Sequence, residues 1–290
     1  MGSRSSLLAV ILLLFGSVVC HAQTITCTNW KFFKAPSPWT NFGAGGINRW
    51  GTVVGGVSQD PSTITHGFVR YSNGGFNFYR VPNSIGTGFL HRNALGVSVG
   101  YYTDSSYITH GLVVSGASRA TVDYPGATIT ELTSINYWGT IIGFYQGYKG
   151  STFVGGTFKL KNGVFTSINY PGASGTAVVS INDKGAIVGN YGTGPSHGFV
   201  LQNGTYTTID NPKADNTGTR LMDISNSGAV VGWYYVGPIG HSFIYRNGVF
   251  ADIDPPNGTY TLVTGINGYG DVTGATGLPS GYTMFTARCQ

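Results

Sequence analysis

Four histidines occupy the same place in a recurring phrase: His66-Gly67-Phe68, His110-Gly111-Leu112, His197-Gly198-Phe199 and His241-Ser242-Phe243. Imidazole changes charge near neutral pH and is the commonest metal ligand, so the repetition invites a metal or proton-transfer reading. One ligand per repeat does not build a tetrahedral centre, however. These histidines are expected to be structural, linking the start of a strand to a nearby loop by a hydrogen bond. The acids Asp123, Asp210 and Asp254 also recur, but their counterparts are Lys34, Arg80 and Asn169, so no ring of calcium-binding or paired carboxylates is expected. His91, Glu131, Arg220 and Asp223 fall on segments expected to line a central channel. They could supply an acid, a base and a cation to a polysaccharide hydrolase or lyase, or could simply be wet channel lining.

The remaining chemistry is aromatic. Tyr101, Tyr102, Phe144, Tyr145, Tyr191, Trp233 and Tyr234 end one recurring strand, and rings with a polar tip suit stacking on sugars or gripping a protein partner. Adjacent strand residues point to opposite sides, so both members of Tyr101-Tyr102, Phe144-Tyr145 or Trp233-Tyr234 cannot pack into one interface. The sequence contains no Gly-rich phosphate loop, nucleophile elbow, metalloprotease helix motif or calcium loop of alternating acids. No cofactor or metal is expected.

These residues are positioned by a repeat. An apolar residue, Asn, two residues, Gly and an apolar run ending in Gly begin at Ile47, Arg92, Ile135, Ile181, Ile224 and Ile266, with Arg92 and Ser225 as imperfect matches. A period of 40 to 50 residues signals a solenoid or propeller. Each unit reads as a short strand A, an Asn-x-x-Gly turn, a strand B such as Ala186 to Tyr191, a variable loop, a strand C beginning at the histidine, an Asn-Gly hairpin turn, and a strand D closed by proline. Asn48, Asn93, Asn136, Asn182 and Asn267 are accordingly turn formers. The last unit stops after strand C, whereas Trp30 to Lys34 is a strand D without its A, B and C. The N-terminal strand is therefore expected to complete the last sheet, giving an all-β, six-bladed propeller of four-stranded antiparallel blades over residues 23–290. The A–B and C–D turns are short and uniform; the B–C and D–A loops vary, and function is expected on their face.

Residues 1–22 read as an export signal, with Arg4, an apolar run from Leu7 to Phe15, and small residues at Cys20 and Ala22. A secreted location, periplasmic or extracellular, follows, and Cys27 and Cys289 are expected to pair in that oxidising compartment. No other apolar stretch is long enough for a membrane helix. The formal net charge is +5, with Lys and Arg scattered singly, which argues against nucleic acid as a partner. A monomer is expected.

The Ile-Asn-x-x-Gly and Val-Gly phrases, the His-Gly-Phe copies, and Asp123-Tyr124-Pro125-Gly126-Ala127 with Asn169-Tyr170-Pro171-Gly172-Ala173 together resemble the bacterial extracellular HAF repeat family. The resemblance spans essentially the whole mature chain. It implies an exported repeat protein and carries no agreed activity, so no catalytic residue transfers. Gly156 and Tyr282 stand where the histidine would be, and Arg92 replaces the usual apolar residue. From these features the chain is expected to be a non-enzymatic module binding an extracellular glycan or protein. The alternatives are a polysaccharide-acting enzyme using the channel and a structural or adhesive surface protein.

Overall fold

A computed structural model describes residues 24–59 and 64–290; the expected export signal lies outside the described residues. These residues form twenty-four strands and, among them, no helix. The A strands of the six repeats are Asn41–Ile47, Gly86–Arg92, Ile129–Ile135, Thr176–Ile181, Thr219–Ile224 and Tyr260–Ile266. Strands run in order A-B-C-D across each sheet. The second and third repeats merge into one eight-stranded sheet through a single parallel pair, Ile129 with Thr109. In the last sheet the outer place is taken by Cys27–Phe33, antiparallel to Gly281–Cys289, with Cys27 opposite Cys289 and Phe33 opposite Met284. Cys27 and Cys289 are disulfide-bonded.

The Asn-x-x-Gly phrase sets both turn and ring. Asn182 Oδ1 accepts from the N–H groups of Lys184 and Ala186, both at 3.0 Å, so the side chain replaces the missing backbone acceptors of a tight turn. Its Nδ2 donates across to Ser225 O at 3.0 Å. Asn48 reaches Asn93, Asn93 reaches Asn136, Asn136 reaches Asn182, and Asn267 returns to Asn48. The turn formers are thus also the links between neighbouring repeats. Only Ser225, one bond too short, drops the link while still capping its own turn through Ala229 N.

Apolar residues fill the seams between sheets. Leu221 and Phe243 of one sheet pack with Val188 and Ile209 of the preceding one, and Met284 near the C-terminus packs with Ile47, Val53 and Phe68 near the N-terminus. The His-Gly-Phe phrase serves this packing. Phe199 is wholly buried, a contribution of about 2 to 3 kcal/mol for such a ring. A Cβ at Gly198 would lie 2.5 Å from Leu221 Cγ, so glycine admits the next sheet's inner strand. Every A strand also carries a register shift just before its last two residues, as between Val178 and Ser180. These β-bulges bend the inner strand at the axis.

Candidate functional site

The residue before the turn phrase is Gly46, His91, Ser134, Ser180, Asp223 or Gly265, depending on the repeat. Several of these side chains staple one inner strand to the next. Ile181 N donates to Ser134 Oγ at 3.2 Å, and Ile135 N donates to His91 Nδ1 at 3.4 Å. Asp223 accepts from Ser180 Oγ, from Ile224 N and, at 2.7 Å, from Ile266 N. Because His91 Nδ1 accepts a hydrogen bond, the neutral ring carries its proton on Nε2. Burial holds the His91 imidazole below its ordinary range, against an opposing pull from Asp223 and Asp183. Burial likewise pushes the Asp223 carboxyl up, against His91, Ser180 and the two N–H donors.

Opposite pH effects on stability follow. The His91 contribution is complete above about pH 6.5 and is lost as pH falls toward its lowered folded value; the Asp223 contribution is complete at low pH and is lost as pH rises through its raised folded value. Urea denaturation between pH 5 and 8 should therefore show wild-type stability rising with pH relative to His91→Asn. Parallel curves would remove His91 from the account.

The four channel candidates are not one cluster. Glu131 and Arg220 lie four residues before the turn phrase, whereas His91 and Asp223 lie one before it, a displacement along the strand of about 10 Å. Asp223 is saturated by protein donors, which makes it a structural staple in this geometry. Glu131 is half-buried and its carboxyl is raised by burial. Arg220 lies 5.1 Å from the Trp233 ring centroid.

The aromatic doublets divide by side. Tyr102, Tyr191 and Tyr234 stack on His110, His197 and His241 at 4.8, 5.2 and 5.4 Å. Tyr145 and Tyr191 stack face to face with Tyr124 and Tyr170, both at 3.6 Å. Tyr234 is buried and donates its hydroxyl to Asp252. The histidines then bond to the recurring acids: His110 to Asp123 at 2.8 Å and His197 to Asp210 at 2.7 Å, with His241 at 3.9 Å from Asp254. A carboxylate only accepts, so Nδ1 is the protonated nitrogen in the two close pairs. Two of the irregular acid positions follow from this, since Asn169 accompanies Gly156 and Lys34 accompanies Tyr282; the first repeat departs from it, keeping His66 beside Ile64 O while Arg80 in the acid's place donates to Ser84 O. The first members, Tyr101, Phe144 and Trp233, take the other side. Tyr101 lies across Gly88, and Trp233 meets Tyr235 edge-on at 5.3 Å. At the same level of the first repeat stand Gly43 and Gly56, where an added Cβ would meet no atom of the described residues within 4 Å.

The uniform A–B turns carry aromatics that sequence reasoning passed over. Trp50, Trp138 and Tyr269 are 60%, 71% and 54% exposed. The indole N–H groups of Trp50 and Trp138 donate to the next repeat's turn at Ala94 O, 2.9 Å, and Asp183 O, 3.1 Å. The available signal was an aromatic residue in the third place of an Asn-x-x-Gly turn, where polar residues are usual.

Sheets arranged radially around an inner ring of A strands define an all-β propeller. No protein-family description and no curated protein matches the sequence. Solved structures do resemble the fold. A mutant Aleuria aurantia lectin in complex with Fucalpha1-6GlcNAc superimposes with a TM-score of 0.53 at 11% identity, over 88% of this chain and 96% of the lectin. XC5397 from Xanthomonas campestris, described as a gluconolactonase, gives 0.55 at 9% identity, over 87% of each chain. TolB from Acinetobacter baumannii gives 0.52 at 8% identity, over 82% of this chain and 65% of TolB. At such identities the likeness concerns the fold alone.

Proposed function

We propose that this chain is an exported six-bladed propeller of the HAF-repeat type, closed by its N-terminal strand, that binds a glycan without transforming it. Reading the eight-stranded sheet as two blades joined by one residue pair gives six A-B-C-D sheets, the last completed by Cys27–Phe33. The disulfide fits an oxidising compartment, and among the described residues no helix is long and apolar enough to cross a membrane. The observation that carries glycan binding is the division of the doublets. Tyr101, Phe144 and Trp233 take equivalent places, each on the side of its own sheet that is free of the histidine stacks, with Arg220 beside Trp233. Flat rings suit a sugar's apolar face, and each has a polar neighbour for its hydroxyls, Arg220 beside Trp233 and Glu131 beside Tyr101. The lectin likeness supports this reading at the level of scaffold.

The test is a glycan array, including Fucalpha1-6GlcNAc, run alongside a reducing-end release assay on the same sugars. Trp233→Ala should weaken retention at least about tenfold, or 1.4 kcal/mol, with an unchanged melting temperature. Retention that survives the substitution would move the site elsewhere. The enzymatic reading has one specific observation in its favour, the Glu131 carboxyl raised by burial beside Tyr101. Sugar release abolished by Glu131→Gln would establish it.

A further inference from the structure

The first repeat and the two chain ends enclose a cleft of about 840 Å³. It opens beside the A–B turns, away from the B–C and D–A loops. We propose that this cleft binds an acidic saccharide, a sugar unit bearing a carboxylate or a sulfate.

Charge is the first argument. Among the described residues, four cations line the cleft, Lys31, Arg49, Arg70 and Arg288, against a single acid, Asp271, which is already engaged by Arg288. Arg70 is the most informative of them. Its guanidinium lies 4.0 Å from the Phe33 ring centroid, and its Nε is buried with no hydrogen-bond partner among the described residues. No carboxylate among those residues forms an ion pair with it, and burial lowers its pKa. A buried donor left unpaired costs about 1 to 3 kcal/mol. Any oxygen acceptor could offset part of that cost, but an anion also meets the guanidinium's charge, and a charge-assisted bond is roughly twice as strong as a neutral one.

The cleft's aromatic residues define the rest of the ligand. Trp50 is pinned through its indole N–H to Ala94 O, yet leaves 60% of its surface exposed. Arg49 lies 4.8 Å from the Trp50 ring centroid and reaches the Tyr269 hydroxyl at 3.3 Å. One guanidinium is thus held between two exposed rings supplied by opposite ends of the chain. A rigid ring takes the apolar face of a sugar with little loss of conformational entropy, and a guanidinium fork takes a carboxylate or sulfate. The cleft volume falls within the range of roughly 300 to 1,000 Å³ found for small-ligand sites.

This inference does not depend on the loop-face reading, since the two sites share no residue. Isothermal titration at physiological salt with trigalacturonate, its fully methyl-esterified form and a sulfated disaccharide tests it. At least one anionic probe should bind, and the methyl ester, built on the same sugar rings but uncharged and one methyl group larger at each carboxyl, should bind at least about tenfold more weakly than trigalacturonate if the carboxylate is the group recognised. Tighter binding of the sulfated probe would assign the anion as sulfate. Arg49→Gln, on an exposed turn, should cost about tenfold in affinity and Trp50→Ala a similar factor, both with unchanged melting temperature, while Trp233→Ala should leave affinity intact. Equal binding of acid and methyl ester with no sulfate binding, absence of binding by both anionic probes, or an unaffected Arg49→Gln would each overturn the proposal.

Discussion

Gly189→Ala should lose about 3 kcal/mol or more of stability. The glycine ends the recurring Val-Gly phrase, and an added Cβ would sit 2.3 Å from Ala177 O and 2.5 Å from Phe199 Cζ. The first obstacle is backbone, fixed by the bulge between Val178 and Ser180, and the second is a ring with no exposed surface. Neither can yield without opening the inner strand, and forced overpacking of a core costs about 1 to 3 kcal/mol or more. The same clash recurs at Gly55, Gly100, Gly143, Gly232 and Gly274, each within 2.0 to 2.3 Å of an A-strand carbonyl. Gly175→Ala is the control, since its added Cβ meets nothing within 4 Å. Equilibrium urea denaturation followed by tryptophan fluorescence measures both variants. Equal stabilities would mean that the bulge yields to a methyl group.

Asn182→Ala should cost about 3 kcal/mol. It removes the acceptor for Lys184 N and Ala186 N and the donor to Ser225 O together, and each buried polar group left without a partner costs about 1 to 3 kcal/mol. Ser225 shows what a shorter side chain achieves at the equivalent place: its hydroxyl still accepts from Ala229 N, and no bond leads onward to the next turn. Asn182→Ser should therefore lie between wild type and Asn182→Ala. If both variants lose the same stability, the inter-repeat donation rather than the turn carries the energy; if neither loses any, the chain of asparagines is incidental.

The strands, their order and the disulfide were legible because their causes are local or terminal. Asn and Gly fold a turn wherever they occur at that spacing, and the strands between turns follow from alternation. The long hairpin of the third repeat, Ile141–Lys149 with Thr152–Lys161, extends beyond the strand expected to stop at Tyr145, because pairing continues in register through Tyr148 and Phe153. The acids near the D–A turn looked irregular in one dimension and became partners of the histidines once strands C and D lay side by side.

By itself the sequence determined a repeating, all-β chain with asparagine turns and two cysteines poised to join its ends, since each of these features arises within a few residues or from the count of repeats. Which face each doublet member occupies was decided by the tertiary structure, because the stacks that claim Tyr102 and Tyr234 for His110 and His241, and Tyr145 for Tyr124, form across strands. The cationic cleft was decided there too. Arg49 and Tyr269 stand 220 residues apart and meet only when the last sheet comes against the first, a juxtaposition that no local pattern encodes.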